Sequence, residues 1–398
     1  MQEFLSNRIN SLSESQTIAM ARKSRELIAK GIDIINLSLG EPDFNTPDKI
    51  KEAAKKAIDD NFSFYTHVSG YIELREAIAR KFKRDNNLDY TADNIVVSTG
   101  AKQSIANAML CLINPGDEVI VPAPYWVSYL EIIKLTEGHA KIIETSIDND
   151  FKITAEQLKA SITPKSKVLI YSSPCNPTGS VYSREELKKL ADVIAEHPNL
   201  YVISDEIYEH ITFVGKHTSL AEFSEIKDRV ITINGLSKGF AMTGWRVGFL
   251  AASLSIAKAC DKMQGQFTSA TCSIAQKAAH AAVEILPEET YQMRDAFKRR
   301  RDLVVDGLKK IPGIKTNNPD GAFYAFPEVS YYFGKTDGTT TIKDANDLCM
   351  YLLDKAHVSL VPGEAFGAPG YVRISYATSD EKLKEAIRRI ETALSKLS

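Results

Sequence analysis

Ser237-Lys238-Gly239-Phe240-Ala241-Met242-Thr243-Gly244-Trp245-Arg246 sets a lysine and an arginine among glycines, and its surroundings decide the fold. The stretch connects two apolar runs, 230–233 and 245–250, whose length and side chains suit buried β-strands. Most lysines are solvated surface groups. A lysine flanked by core strands is different: loss of water disfavours the ammonium and lowers the pKa toward the neutral amine, the form that attacks carbonyl carbons. Lys238 is therefore a candidate nucleophile.

Further apolar, β-branched runs at 95–98, 118–121, 140–144, 168–172 and 201–204 bring the candidate strands to seven. Helical patterns at 101–112, 126–135 and 183–195 separate several of them. Strand–helix alternation implies a mostly parallel sheet covered on both faces, and such sheets bind ligands beyond the carboxyl ends of their strands.

Three of those ends carry polar chemistry. Run 201–204 opens into Asp205-Glu206-Ile207-Tyr208. Asp205 has two readings, the N-cap of a following helix or a carboxylate that keeps a pyridinium nitrogen protonated and strengthens the ring as an electron sink. Run 168–172 leads into Ser173-Pro174-Cys175-Asn176-Pro177-Thr178-Gly179, which alone reads as a chain-reversing turn. Ser98-Thr99-Gly100-Ala101-Lys102-Gln103 passes from strand to helix, where a glycine lets backbone N–H groups meet a phosphate at the helix N-terminus.

Beyond Pro287 an amphipathic stretch, 288–310, stops at Pro312-Gly313 and reads as a helix linking two domains. Short strands near 322–326, 359–361 and 372–375 and a final helix at 379–397 complete a smaller α+β unit. The predicted division is 1–47 (N-terminal arm and part of the small domain), 48–286 (large domain, α/β, with the seven-stranded sheet between helices) and 287–398 (linking helix and small domain). A chain of 398 residues with 44% hydrophobic content suits one large domain plus a smaller one.

A formal charge of −2, from 49 basic and 51 acidic residues, supplies no bulk field for nucleic acid or an anionic membrane, so a small molecule is the expected partner. The five cysteines are dispersed and form no CxxC or Cys/His cluster, which predicts reduced thiols and no metal site. Residues 1–10 lack a secretory pattern and no 18 apolar residues run together, which points to the cytoplasm.

Together these segments resemble the fold-type I aminotransferases, specifically the class I family that includes the aspartate aminotransferases. The resemblance covers nearly the whole chain. It is carried by Ser237-Lys238 followed by Gly244-Trp245-Arg246 and by the ordered series Gly40-Glu41-Pro42, Asn176-Pro177-Thr178-Gly179, Asp205-Glu206-Ile207-Tyr208 and Arg373-Ile374-Ser375. It implies pyridoxal 5'-phosphate as cofactor. Lys238 would hold it as a Schiff base, Asp205 would pair with its ring nitrogen, and Tyr208 and Asn176 would hydrogen-bond its phenolic oxygen. Arg246, Ser237 and the backbone of Gly100, Ala101 and Lys102 would hold the phosphate, and Trp126 would stack on the ring. Arg373 would bind the substrate α-carboxylate, with Gly40 closing over it.

The resemblance also implies a homodimer with shared sites, in which Tyr65 reaches the partner's cofactor phosphate and the segment containing Ser15 and Thr17 approaches the substrate side chain. The specificity arginine of the animal branch has no obvious match; in the bacterial branch, which this chain resembles more closely, Lys102 takes that place. The implied reaction is ping-pong amino transfer from L-aspartate to 2-oxoglutarate. A prephenate or aromatic amino acid aminotransferase is the alternative within the family, because its members that use prephenate carry a lysine and threonine resembling Lys102 and Thr17. A non-catalytic regulator on the same fold is the rival from another class; such proteins carry a DNA-binding extension, and the chain has no spare segment or basic patch for one.

Overall fold

The computed structural model describes residues 4–14 and 16–398. Its centre is a seven-stranded sheet made of β1 (Ile95–Ser98), β2 (Glu118–Ala123), β3 (His139–Glu144), β4 (Ser166–Ser172), β5 (Tyr201–Asp205), β6 (Val230–Gly235) and β7 (Gly248–Ala251). The spatial order is β1-β7-β6-β5-β4-β2-β3. β7 runs antiparallel to both its neighbours while the remaining pairs are parallel, so every strand but β7 points the same way. The mostly parallel sheet expected from the sequence is what the chain forms.

Helices flank the sheet, which is why the inner strands read as continuous apolar runs rather than as alternating ones, while the edge strand β3 is mostly exposed. Along β4, Val168 and Ile170 enter one core layer and Leu169 and Tyr171 the other; along β5, Val202 and Ile203 divide in the same way. A third core unites Ile35 and Leu37 with Phe297, Phe323, Leu348, Val358 and Ile374, packing the N-terminal segment among residues from the end of the chain. Two small sheets serve it: Ile35–Asn36 pairs with Val358–Ser359, and Val372–Ser375 lies between Val361–Pro362 and Tyr324–Ala325.

Several expected boundaries shift by a few residues, and two expectations change in kind. Trp245 and Arg246 are not in a strand: Thr243–Trp245 forms a 3-10 turn, Trp245 Nε1 donates to Thr46 Oγ1 at 3.1 Å, and Arg246 takes φ +56°. The expected strand at 359–361 is two short strands in different sheets, broken at Leu360. The linking helix begins with a 3-10 turn, Pro287–Thr290, and continues as Tyr291–Leu308. Among the described residues no helix is long and apolar enough to cross a membrane.

Candidate active site

Because the strands are parallel, their carboxyl ends share one edge, and β7, running the other way, brings its N-terminal end there: Gly248 pairs with both Ser98 and Gly235. The chemistry-bearing segments therefore converge although they are far apart in sequence. One cavity of about 270 Å³ at this edge is bordered by Lys238 and Ser237 after β6, Asp205 and Tyr208 from β5 and its turn, and Asn176 after β4. Ala101 and Lys102 reach it from α1 (Ala101–Leu112), Trp126 from the loop before α2 (Ser128–Leu135), and Arg246 from the turn before β7. Gly40 and Thr17 from the N-terminal segment and Arg373 from the three-stranded sheet close it from the opposite side.

Lys238 Nζ donates to Gly40 O at 2.5 Å. Burial lowers its pKa to about 8, with the cations Arg373 and Arg246 adding to the shift and Glu41 and Asp205 opposing it. Asp205 is 5% exposed and burial lifts its carboxyl to about 6, against the hydrogen bond that it accepts from Tyr129. No helix follows it. The chain turns at 207–210, and Asp205 Oδ1 accepts the Ile207 N–H at 3.3 Å, so the N-cap reading gives way to a strand-end carboxylate facing the cavity.

Arg373 is buried at 2% exposure. Nη1 donates to Asn176 Oδ1 at 2.9 Å, Nη2 to Ser38 O at 2.6 Å, and Nε has no partner among the described residues. These acceptors are neutral. A desolvated guanidinium without a counter-charge is costly, and a planar carboxylate is the group that satisfies its fork best. Tyr324 and Phe366 flank it at 4.6 and 5.0 Å from guanidinium carbon to ring centre.

The turn entering α1 suits an anion. Gly100 has φ +84°, and a Cβ there would collide with the Arg246 guanidinium; a Cβ at Gly248 would collide with the Ala101 backbone nitrogen. Both glycines allow this close approach of strand, helix start and arginine. Lys102 keeps contact with solvent while its ammonium lies 4.9 Å from the centre of the Trp126 ring; burial, then Arg246, lowers its pKa. Thr17 Oγ1, also at the cavity, is buried with no hydrogen-bond partner among the described residues.

Gly100 adjoins Arg246 without bordering the cavity itself, and one described candidate stands apart from it. Tyr65 is 97% exposed and does not border the cavity. Ser15 lies outside the described residues. Sequence reasoning missed two tyrosines. Tyr324 borders the cavity and shares a 2.8 Å hydrogen bond with Tyr208, hydroxyl to hydroxyl, and a Cβ on Gly40 would strike its hydroxyl. Tyr129, on α2, donates to Asp205 Oδ2 at 2.7 Å. Both belong to runs that read simply as helix or strand; the signal that sets them apart is tertiary.

Comparison with known proteins gives the family and the fold. The family model for aminotransferase class I and II matches residues 32–390. The chain is 49% identical over 396 residues to a probable aspartate/prephenate aminotransferase of Rickettsia bellii, covering 99% of each. It is 48% identical over 395 residues to the bifunctional aspartate aminotransferase and glutamate/aspartate-prephenate aminotransferase of Petunia hybrida, covering 98% of this chain and 82% of the relative. Among solved structures, the aspartate aminotransferase from Rhizobium meliloti superposes with a TM-score of 0.96 at 41% identity, covering 99% of both chains.

Proposed function

The chain belongs to the class I and II aminotransferase family, and on that premise we propose that it transfers the amino group of L-aspartate to 2-oxoglutarate, giving oxaloacetate and L-glutamate, with pyridoxal 5'-phosphate held at Lys238. One observation carries the reading: a lysine brought close to neutrality shares a cavity with a buried guanidinium that pairs with no carboxylate among the described residues.

The residues present suit the cofactor. Ala101 and Lys102 offer backbone N–H groups at a helix start, the Gly100 turn brings the Arg246 guanidinium against it, and Ser237 borders the same cavity, a donor set matched to a phosphate. Asp205 supplies the buried carboxylate for a ring N–H, Trp126 the aromatic face, and Tyr208 and Asn176 polar groups for the ring oxygen. When bound, the cofactor supplies an electron sink for the negative charge that develops at the substrate Cα.

The side chains do the rest. Arg373 orients the substrate by its α-carboxylate, and Gly40 covers it. Lys238 Nζ, as a free amine, would be placed to take the proton from the substrate Cα, and burial, which lowers its pKa to about 8 in the cofactor-free chain, favours that role. Asp205 holds its charge beside the ring nitrogen. Lys102, with the Thr17 hydroxyl that has no partner among the described residues, meets the second carboxylate of aspartate. The apolar neighbours Ile18, Ile105, Val127 and Ile207 line the rest of the cavity and lower the local polarity in which these interactions act.

The same reading includes a homodimer in which Tyr65 serves the partner's site; the exposed pair Phe64 and Tyr65, at 82% and 97%, supports a covered surface. It also includes the division at 47/48 and 286/287 and a cytoplasmic location, both resting on the sequence. A second reading, prephenate as the amino acceptor, is favoured by the names of the two relatives from Rickettsia and Petunia. Steady-state assays of aspartate, glutamate and aromatic amino acids with 2-oxoglutarate and with prephenate test the choice. The highest kcat/KM is expected for aspartate with 2-oxoglutarate. Faster turnover with prephenate moves the assignment to the second reading, and no amino transfer from any donor overturns both.

A further inference from the structure

Asp205 is the buried carboxylate of the cavity, and its two oxygens are fixed from different elements. Oδ1 accepts the backbone N–H of Ile207 at 3.3 Å, and Oδ2 accepts the hydroxyl of Tyr129 at 2.7 Å. Tyr129 is 1% exposed, and its ring meets Trp126 edge-on, with centroids 5.6 Å apart at 88°. The phenol therefore has little freedom to turn away, and it stands behind the carboxylate rather than among the residues bordering the cavity.

We propose that Tyr129 is a positioning residue whose hydroxyl keeps Asp205 ionised and aimed at the cavity, so that the proton shared between Asp205 and the cofactor's ring nitrogen stays on the nitrogen. The inference rests on the assignment of Asp205 as the partner of that nitrogen. When an acid and a nitrogen base share a proton, the more basic group carries it. A donor to the carboxylate lowers its basicity, and burial raises it. Burial dominates at Asp205, whose carboxyl is lifted to about 6 even with the phenol in place.

The other charged or titratable groups facing Asp205 do not replace this contact. Glu206, next in the chain, raises its pKa; Lys238 lowers it by charge; Tyr208 and Cys175, both with pKa raised by burial, are neutral. Glu206 is itself engaged by Ser204, Ser219 and His217, with His217 Nε2 3.0 Å from its carboxylate. Tyr129 is the side chain among the described residues that hydrogen-bonds Asp205. Removing this hydroxyl makes Asp205 more basic, which shifts the shared proton from the ring nitrogen toward the carboxylate.

The test is the 15N chemical shift of holoenzyme carrying ring-15N pyridoxal phosphate, recorded between pH 6 and 8 for the native protein, Tyr129→Phe and Asp205→Asn. Tyr129→Phe removes one oxygen and leaves the ring against Trp126, and thermal melts on the same samples check its fold. The native protein should show the protonated nitrogen, and Tyr129→Phe should shift the resonance toward the unprotonated position. If Asp205→Asn shifts the resonance and Tyr129→Phe does not, even with a lowered melting temperature, Tyr129 is only a packing residue and the inference is overturned. If Asp205→Asn leaves the resonance unchanged, the assignment of Asp205 fails and the inference with it.

Discussion

Arg373 and Asn176 lie 197 residues apart in sequence and are joined by a 2.9 Å hydrogen bond from Nη1 to Oδ1. The contact ties the three-stranded sheet to the loop after β4 and aims the guanidinium into the cavity. Arg373→Lys keeps the charge but loses the planar fork, so kcat/KM should fall by about 10²–10³-fold for charged and uncharged amino acids alike, since all present an α-carboxylate. Steady-state kinetics with aspartate and alanine check this; a loss confined to aspartate would contradict it.

Lys102→Ala should do the reverse. Lys102 keeps contact with solvent, so its loss should cost less than the roughly 2–5 kcal/mol of a fully buried charge pair: kcat/KM for aspartate should drop on the order of 10–10²-fold, with far less effect on alanine or phenylalanine. Any activity with prephenate should fall together with that for aspartate. An unchanged ratio of aspartate to alanine activity would mean that Lys102 contributes its backbone N–H alone.

Asp205 carries a stability cost that pH can reveal. Burial raises its folded pKa from 3.8 to about 6, so in cofactor-free protein its contribution is most favourable below pH 3.8 and is lost as pH rises through 6. Asp205→Asn removes this dependence. The mutant should melt close to the native protein near pH 4 and a few degrees higher above pH 6, a gain of about 3 kcal/mol at most. A mutant that melts lower throughout would show that the carboxylate is structural.

The sheet was legible because six of its seven strands are buried and so appear as largely apolar runs, the mostly exposed edge strand β3 being the exception; β1 falls at 95–98 in sequence and structure alike. Trp245 also looked like strand, but its indole is claimed by Thr46, 199 residues away, which no local pattern announces. The two-residue strands of the small sheets are too short to show an alternation, hence the merged reading of 359–361. In the site, Lys238 stands out by position between core strands, Asp205 has two readings, and Asn176, Tyr208, Trp126 and Arg373 are named through the family resemblance. Tyr129 and Tyr324 cannot be found in these ways, because each acts through a hydrogen bond to a residue from a distant segment.

The shared-site dimer predicts a hybrid experiment. Lys238→Ala and Tyr65→Ala proteins should each be poorly active, and mixing them under conditions of subunit exchange should restore part of the activity, because one of the two hybrid sites carries neither lesion. Sedimentation should find the native protein dimeric at assay concentration. A fully active monomer, or no recovery despite proven exchange, would contradict a shared site.

Lys238 is the centre of the account, and trapping its bond to the cofactor tests it most directly. Holoenzyme reduced with borohydride, digested and analysed by mass spectrometry should carry the reduced cofactor on Lys238 and on no other lysine. Lys238→Ala should carry none and lose turnover on the order of 10⁴-fold, the upper range for removing a general base. Label on another lysine, or near-native amino transfer by Lys238→Ala, would contradict the account.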